Sequence, residues 1–527
     1  METNGQTHSQ LDNVKDILSD MKRPPKQVGF SIIRAHFVLP FSDDQESVYT
    51  RIEDGYVLSE NDHIVECKHY TTEFGKQIVK EHPDIKIFGL ADPHPFIPVS
   101  SENPIPCLNG VLVPGFVKAH GHDHESVIAG LNKEAQLTEW LDKCVNPFSG
   151  FINENIEDLK QRHGERAHII LYRKARLDDL TFGITTNMVH HCNFNKYHVA
   201  EVFRANEEAG TKMLIAIGAQ DRNYDPRILD KPEDAVNRLN DAYEVLKSYN
   251  SERTFVVAGA DQCFSNGQEI LTAIKKWSRD HDTLVHIHSS EEPGTTKWFV
   301  ENYKETPVEY FNRIGFLDNR SVLAHQVNCT DHDLELLAKT GAKVVHNPLA
   351  NTILSSGMPP IRRMVELGIP VAISTDGTGS ADNQNILAAT KLTEQYFRGK
   401  DRQPLFTSMQ SLERITRIPG DILEIKVGRL QKNYYADFVL VDTTSSNMTP
   451  THLENCAEML IWASAGNEIS YVISSGVELV RNHQFTENIQ FDANKTKEQI
   501  MKLTKEFLEY RKNAKEIVAT GARSEKH

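Results

Sequence analysis

The sequence predicts an α/β protein, a (β/α)8 TIM-type barrel joined to a composite β-sandwich domain built from both flanking segments. Three observations carry that expectation. Between Phe116 and Thr375, eight short apolar runs alternate with longer helical stretches, the texture of a parallel sheet. The stretch from His120 to Asp376 is close to the roughly 250 residues such a barrel needs. β-rich segments lie on either side of it.

The first 27 residues are polar and are read as an extension. From Val28 to Val113 come the short β-rich runs FSIIRAHFVL, YVLSENDHIVEC, IKIFGL and VLVPGF, separated by polar turns. The eight expected barrel strands are FVKAH (116–120), ITTNMVH (184–190), KMLIAIG (212–218), TFVVAGA (254–260), TLVHIH (283–288), SVLAHQ (321–326), AKVVHN (342–347) and PVAIST (370–375). A doubly wound sheet is the structural competitor, and no Gly-rich nucleotide fingerprint supports it. After Asp421 the β texture returns in VGRLQKNYYADFVLVD and SYVISSGVELVRNHQF. The expected domains are therefore 28–113 with 421–490, the barrel at 114–420, and a helical tail at 491–527. In that tail Ile500, Leu503, Phe507 and Tyr510 fall at helical spacing, as in a helix packed on the body or on a partner subunit.

Composition narrows the function. The 527 residues carry 58 Lys+Arg against 73 Asp+Glu, a net charge of −15, with no basic run, so nucleic-acid binding is not expected. Hydrophobic residues make up 39%, and no stretch reaches the roughly 18 uninterrupted apolar residues of a membrane helix. The N-terminus lacks the apolar centre of a secretory signal, which points to the cytoplasm. Seven scattered cysteines with no CxxC pair are neither a disulfide framework nor a thiolate zinc site.

Histidine is the informative residue type. His120 and His122 follow the first barrel strand two residues apart, on one face, so both imidazoles can meet one ion. The fifth strand ends in HIHSSEE, where His286 and His288 share a face and Glu291 follows at the loop. His286 is read as a satisfied interior histidine below the site. His325 ends the sixth strand, and Asp376 ends the eighth, where a helix N-cap is the competing role. Three imidazoles and one carboxylate around an open position suit catalytic zinc or ferrous iron.

With these residues in view, VLVPGFVKAHGHDH resembles the first-strand signature of the amidohydrolase superfamily, and HIHSSEEP resembles its fifth-strand element. HNPLANTILSSGMPPIRRMVELGIPVAISTDGTGS resembles its strand-seven to strand-eight segment, and KVGRLQKNYYADFVLVD its closing β strand. The nearest branch holds the triazine hydrolases, guanine deaminases and adenosylhomocysteine or methylthioadenosine deaminases, over about residues 28–490. The resemblance implies one divalent metal per chain, Zn2+ or alternatively Fe2+, held by His120, His122, His288 and Asp376. It implies a proton shuttle at Glu291, a water- or substrate-orienting role for His325, a homodimer, and a hydrolytic deaminase of an amino-substituted purine, pterin, pyrimidine or triazine. A chlorohydrolase or N-dealkylating enzyme on a similar ring is the alternative, and a catalytically silent scaffold the third reading.

Two variants of the superfamily's site are set aside. TFVVAGADQC offers no lysine to bridge two metals, and Asp376 is followed by Gly377 where a second aspartate would mark the adenosine-deaminase type. The substrate contacts are assigned to Trp140, Asp261, Gln262 and His346. The chain departs from its branch there: the loop Gly259–Phe264 lacks the usual basic or imidazole residue, and Ala129 replaces a usual arginine. His124 and the pair His190–His191 are left without a role. Asp261, placed at the pocket mouth, leads to the expectation of a neutral or cationic substrate; its competing role is to cap the next helix.

Overall fold

The computed structural model describes residues 10–512. Eight parallel strands form the barrel: β1 (Phe116–Lys118), β2 (Ile184–His191), β3 (Lys212–Ile217), β4 (Thr254–Gln262), β5 (Val285–Ser289), β6 (Ser321–His325), β7 (Lys343–His346) and β8 (Val371–Ile373). Each pairs with its sequence neighbours in the order β8-β7-β6-β5-β4-β3-β2-β1. All eight coincide with the runs read from the sequence.

The strands alternate as the pleat requires. On β3, Met213, Ile215 and Ile217 pack outward against the helices, while Leu214 and Ala216 fill the barrel with Met188, Val257, Val322 and Val345. Ile422, Leu423 and Val427 belong to the same inner cluster, so the segment around the helix Arg417–Leu423 plugs the lower end. That segment's start also closes the seam between β1 and β8. Val117 N–H donates to Ile415 O at 2.9 Å, and Ile373 N–H to Arg414 O at 3.0 Å. One layer higher, Ser374 Oγ donates to His120 O at 2.7 Å. Edge groups that a β1–β8 ladder would satisfy are satisfied from elsewhere.

The flanking β segments meet in one sheet. Four C-terminal strands and five N-terminal ones form one continuous nine-stranded mixed sheet, joined where Phe438–Val441 pairs antiparallel with Leu108–Pro114. A buried ion pair ties this sheet to the barrel: Lys212 Nζ lies 2.7 Å from Asp437 Oδ1, and both side chains are fully buried. Within the N-terminal extension Gln10–Leu18 is a helix, and its Ile17 and Leu18 are buried in the barrel's outer core. At the C-terminus, Ala493–Arg511 is a single helix in which Ile500, Leu503 and Phe507 are buried. The remainder of the expected tail, 513–527, lies outside the described residues. Among the described residues no helix is long and apolar enough to cross a membrane.

Candidate active site

The residues singled out by position converge at the C-terminal ends of β1, β5, β6 and β8. His122 Nε2 lies 3.1 Å from His288 Nε2. Asp376 Oδ1 lies 3.4 Å from His120 Nε2 and 3.6 Å from His122 Nε2. Four ligands placed tetrahedrally at about 2.0–2.1 Å from one zinc ion would stand about 3.3–3.4 Å apart. The donor set therefore has the right chemistry and the right separations for one divalent ion.

The ring orientations agree. His288 Nδ1 faces Asp261 O at 2.7 Å. A carbonyl only accepts, so Nδ1 carries the hydrogen and Nε2 presents its lone pair. His120 is fully buried and its Nε2 has no protein hydrogen-bond partner, an arrangement that costs free energy unless something fills it. Burial, reinforced by the neighbouring imidazoles, pushes His120 well below the usual histidine range, and burial does the same to His122. Neutral imidazoles are the form that binds a cation.

Glu291 and His325 complete the cluster. His325 Nε2 lies 3.6 Å from Glu291 Oε2 and 3.7 Å from Asp376 Oδ2. His325 Nδ1 lies 2.8 Å from Asn351 Oδ1 and 3.4 Å from Asn347 Nδ2; the shorter contact sets the ring, so that Nδ1–H donates to Asn351 and Nε2 is left as an acceptor toward the cavity. Burial first, and the Asp376 and Glu292 carboxylates next, raise the Glu291 pKa well above the usual range. Glu292 turns away and accepts from Thr138 Oγ1 at 2.6 Å. Backbone strain gathers here too, since His325 and Asp376 have φ of 76° and 75°, values that L-residues rarely adopt. Asp376 Oδ1 accepts from Gly377 N–H at 2.7 Å, so its carboxylate turns back on its own turn while facing the histidines.

The cluster opens into a cavity of about 50 Å³. Trp140, Asp261 and Gln262 line it, whereas His346 does not and is fully buried with neither ring nitrogen bonded. Asp261 differs from its expected position at an exposed mouth. It is 2% exposed, and Ser265 Oγ donates to its Oδ2 at 3.2 Å. Nor does it cap the next helix, because Gly267 N–H at that helix start donates to Asp221. Burial opposes its ionisation, but His190, His288 and Tyr224 outweigh it and hold the Asp261 pKa down to about 2.

The lining also includes residues that sequence reasoning left aside: His124, Glu125, Asn146, Cys192, Asn193 and Tyr224. Glu125 accepts from Gly379 N–H at 3.2 Å, and burial, with Asp376 adding to it, pushes its pKa up to about 8. His190 was also legible in principle. Met188, two residues earlier on β2, faces the barrel interior, so the pleat turns His190 inward one layer higher.

The sequence profile of the amidohydrolase family matches residues 111–479. The chain belongs to the amidohydrolase family. Within it, the chain is 27% identical to a 5'-deoxyadenosine deaminase of Methanococcus maripaludis over 373 residues, 70% of this chain and 83% of that one. It is 26% identical to a 5-methylthioadenosine/S-adenosylhomocysteine deaminase of Thermococcus sibiricus, over 72% of this chain and 84% of the other. The fold superposes on a mutant atrazine chlorohydrolase of Arthrobacter aurescens complexed with zinc and atraton. That match has a TM-score of 0.76 at 19% identity and covers 90% of this chain and all of the other. A guanine deaminase of C. acetobutylicum with bound guanine gives 0.70 at 18%, covering 85% and 100%.

Proposed function

We propose that this amidohydrolase is a hydrolytic deaminase that releases ammonia from an amino-substituted nitrogen heterocycle, with a purine-type ring first among the candidates. The observation that carries the reading is the convergence of His120, His122, His288 and Asp376 with Glu291 and His325 in one buried cluster. The deaminases it resembles over 70% or more of its length support the choice of reaction.

His120, His122, His288 and Asp376 would hold one divalent metal, with zinc as our assignment. When bound, such a metal supplies Lewis-acid activation, bringing the pKa of water from 15.7 toward about 7. Glu291 accepts the proton released as water attacks the amino-bearing ring carbon. His325, with its Nε2 free as an acceptor, takes a hydrogen bond from that water and aims the oxygen lone pair at the carbon. Glu291 then delivers its proton to the departing amine, so one carboxyl group works as base and then as acid. The exocyclic bond from the ring carbon to the amino nitrogen breaks while the new carbon–oxygen bond is retained, the electron pair that the attack placed on the ring nitrogen reforms the ring C=N bond, and ammonia leaves.

The lining adds a selection on charge. Of the carboxyl groups that line the cavity, Asp261 keeps its negative charge, held down to about 2, and no lysine or arginine lines the cavity among the described residues. A neutral or cationic ligand suits that wall better than a phosphorylated or carboxylated one. The deciding experiment is an ammonia-release screen of the zinc-reconstituted protein over purine bases and nucleosides, pterins, pyrimidines and triazines. Ammonia release from one of these classes is expected. Release of chloride or alkylamine without ammonia, or no turnover from a fully metal-loaded protein, overturns the proposal.

A further inference from the structure

His190 and Asp261, which the sequence left unexplained or placed elsewhere, meet behind the candidate metal ligands. His120 Nδ1 lies 3.1 Å from His286 Nε2, and His286 Nδ1 lies 3.1 Å from His190 Nδ1. His190 Nε2 in turn faces Asp261 Oδ1 at 3.8 Å. All four side chains are buried. We propose that Asp261, acting through His190 and His286, fixes the tautomer of His120, and through its own backbone carbonyl that of His288. Both imidazoles then turn Nε2 lone pairs toward the same metal.

The tautomers follow from the proposed ligand set of His120, His122, His288 and Asp376 and from the number of hydrogens the rings carry. A neutral imidazole has one N–H and one lone pair, and two nitrogens in a 3.1 Å contact share a single hydrogen. If His120 offers its Nε2 lone pair to a metal, its hydrogen sits on Nδ1 and is donated to His286 Nε2. The hydrogen of His286 then sits on Nδ1 and is donated to His190 Nδ1. That leaves the His190 hydrogen on Nε2, facing the Asp261 carboxylate. The last contact is longer than a hydrogen bond, so the coupling there is the attraction of a carboxylate for an N–H over a lone pair. Every link has one polarity, and the carboxylate sets it. Carboxylate partners behind metal-bound histidines orient the ring and raise its basicity in just this sense.

The same counting decides a competing reading. His190, Cys192 and Asp261 have ligand atoms within 4.8 Å of one another and could be taken for a second metal site. A metal there would need the His190 Nε2 lone pair. That reverses both imidazole contacts and puts a hydrogen on His120 Nε2, against the first metal. With neutral rings the two sites exclude each other, and the relay takes one metal per chain. His286, His190 and Asp261 are thus positioning residues that touch no substrate.

The test uses the full chain, stripped and titrated with zinc against a competing chelator. Wild type is expected to bind one equivalent. His190→Leu, which can neither accept nor donate, is expected to weaken zinc binding by about 10- to 100-fold. His190→Gln keeps an acceptor toward His286 and a donor toward Asp261 and is expected to restore most of that loss. Unchanged affinity in His190→Leu, equal losses in both variants, or a second equivalent lost in Cys192→Ala overturns the relay. His120→Ala separates its failure from that of the ligand set, because zinc bound undiminished by that variant refutes the ligands themselves. Should His190→Leu fail to fold, nitrogen-15 histidine spectra of wild type, assigned with His286→Gln, are expected to show His286 protonated at Nδ1; protonation at Nε2 overturns the proposal.

Discussion

Asp376 holds its carboxylate among three histidines only by adopting a left-handed backbone, φ 75°, which costs an L-residue about 1–2 kcal/mol. Glycine pays nothing there, so metal-free Asp376→Gly is predicted to be more stable than metal-free Asp376→Ala by about 1–2 kcal/mol in denaturant unfolding. Equal stabilities would show that the turn is not strained. Glu291→Gln keeps the shape of the side chain and loses its ability to take a proton. It is predicted to retain metal at wild-type stoichiometry while kcat falls by about 10²-fold or more. For the ring substrate found, kcat/KM is predicted to fall on adding a phosphate or carboxylate, since like charges about 4 Å apart repel by about 1–4 kcal/mol at effective dielectrics of 80 to 20. An equal or higher value for the anion would remove the acidic wall from the argument. Much of this site was legible because His120, His288, His325 and Asp376 each terminate or follow an apolar strand, a position at which barrels place chemistry. Glu125 was not, because nothing in HGHDHES says that its carboxyl folds back beneath Gly379.

The strands were the legible elements, since their apolar alternation is set by the chain itself. The short helices around the cavity were not. Leu137–Trp140 runs into a π-helix at Leu141–Val145, a hydrogen-bonding pattern that tertiary contacts impose and that recurs at functional sites. Leu137, Trp140, Leu141 and Val145 from this segment wall the cavity of about 50 Å³, which is below the roughly 300 Å³ at the low end of ligand pockets. Behind it stands the C-terminal helix Ala493–Arg511. Phe507 packs edge-on against Phe148, with ring centroids 5.1 Å apart, and against Phe151 at 5.7 Å. Phe507→Ala is predicted to lower stability by about 3–5 kcal/mol, as a buried aromatic truncation does. A midpoint in denaturant indistinguishable from wild type would mean that the helix is dispensable.

At the scale of the molecule, barrel and sheet are held in register by the fully buried pair Lys212–Asp437, to which Ser475 Oγ adds a contact with Lys212 Nζ at 2.9 Å. Asp437→Ala leaves an uncompensated ammonium in the interior and is predicted to cost about 3–5 kcal/mol. The check is whether unfolding monitored separately in barrel and sheet stays coincident; loss of coincidence is expected if this pair is their principal link. That the two β segments would join was readable from their similar texture, whereas their merging into one sheet at Leu108–Pro114 and Phe438–Val441 was not, because pairing between distant strands leaves no local mark. The join has a consequence for biosynthesis. While a ribosome makes the barrel, the strand at Leu108–Pro114 waits with one edge unpaired, because the strand that covers it is translated hundreds of residues later. An open strand edge is a template for another chain. Nascent copies of this protein are therefore most vulnerable to associating with one another after the barrel has emerged and before Phe438 has, and a chain stopped in that interval is expected to be found in aggregates.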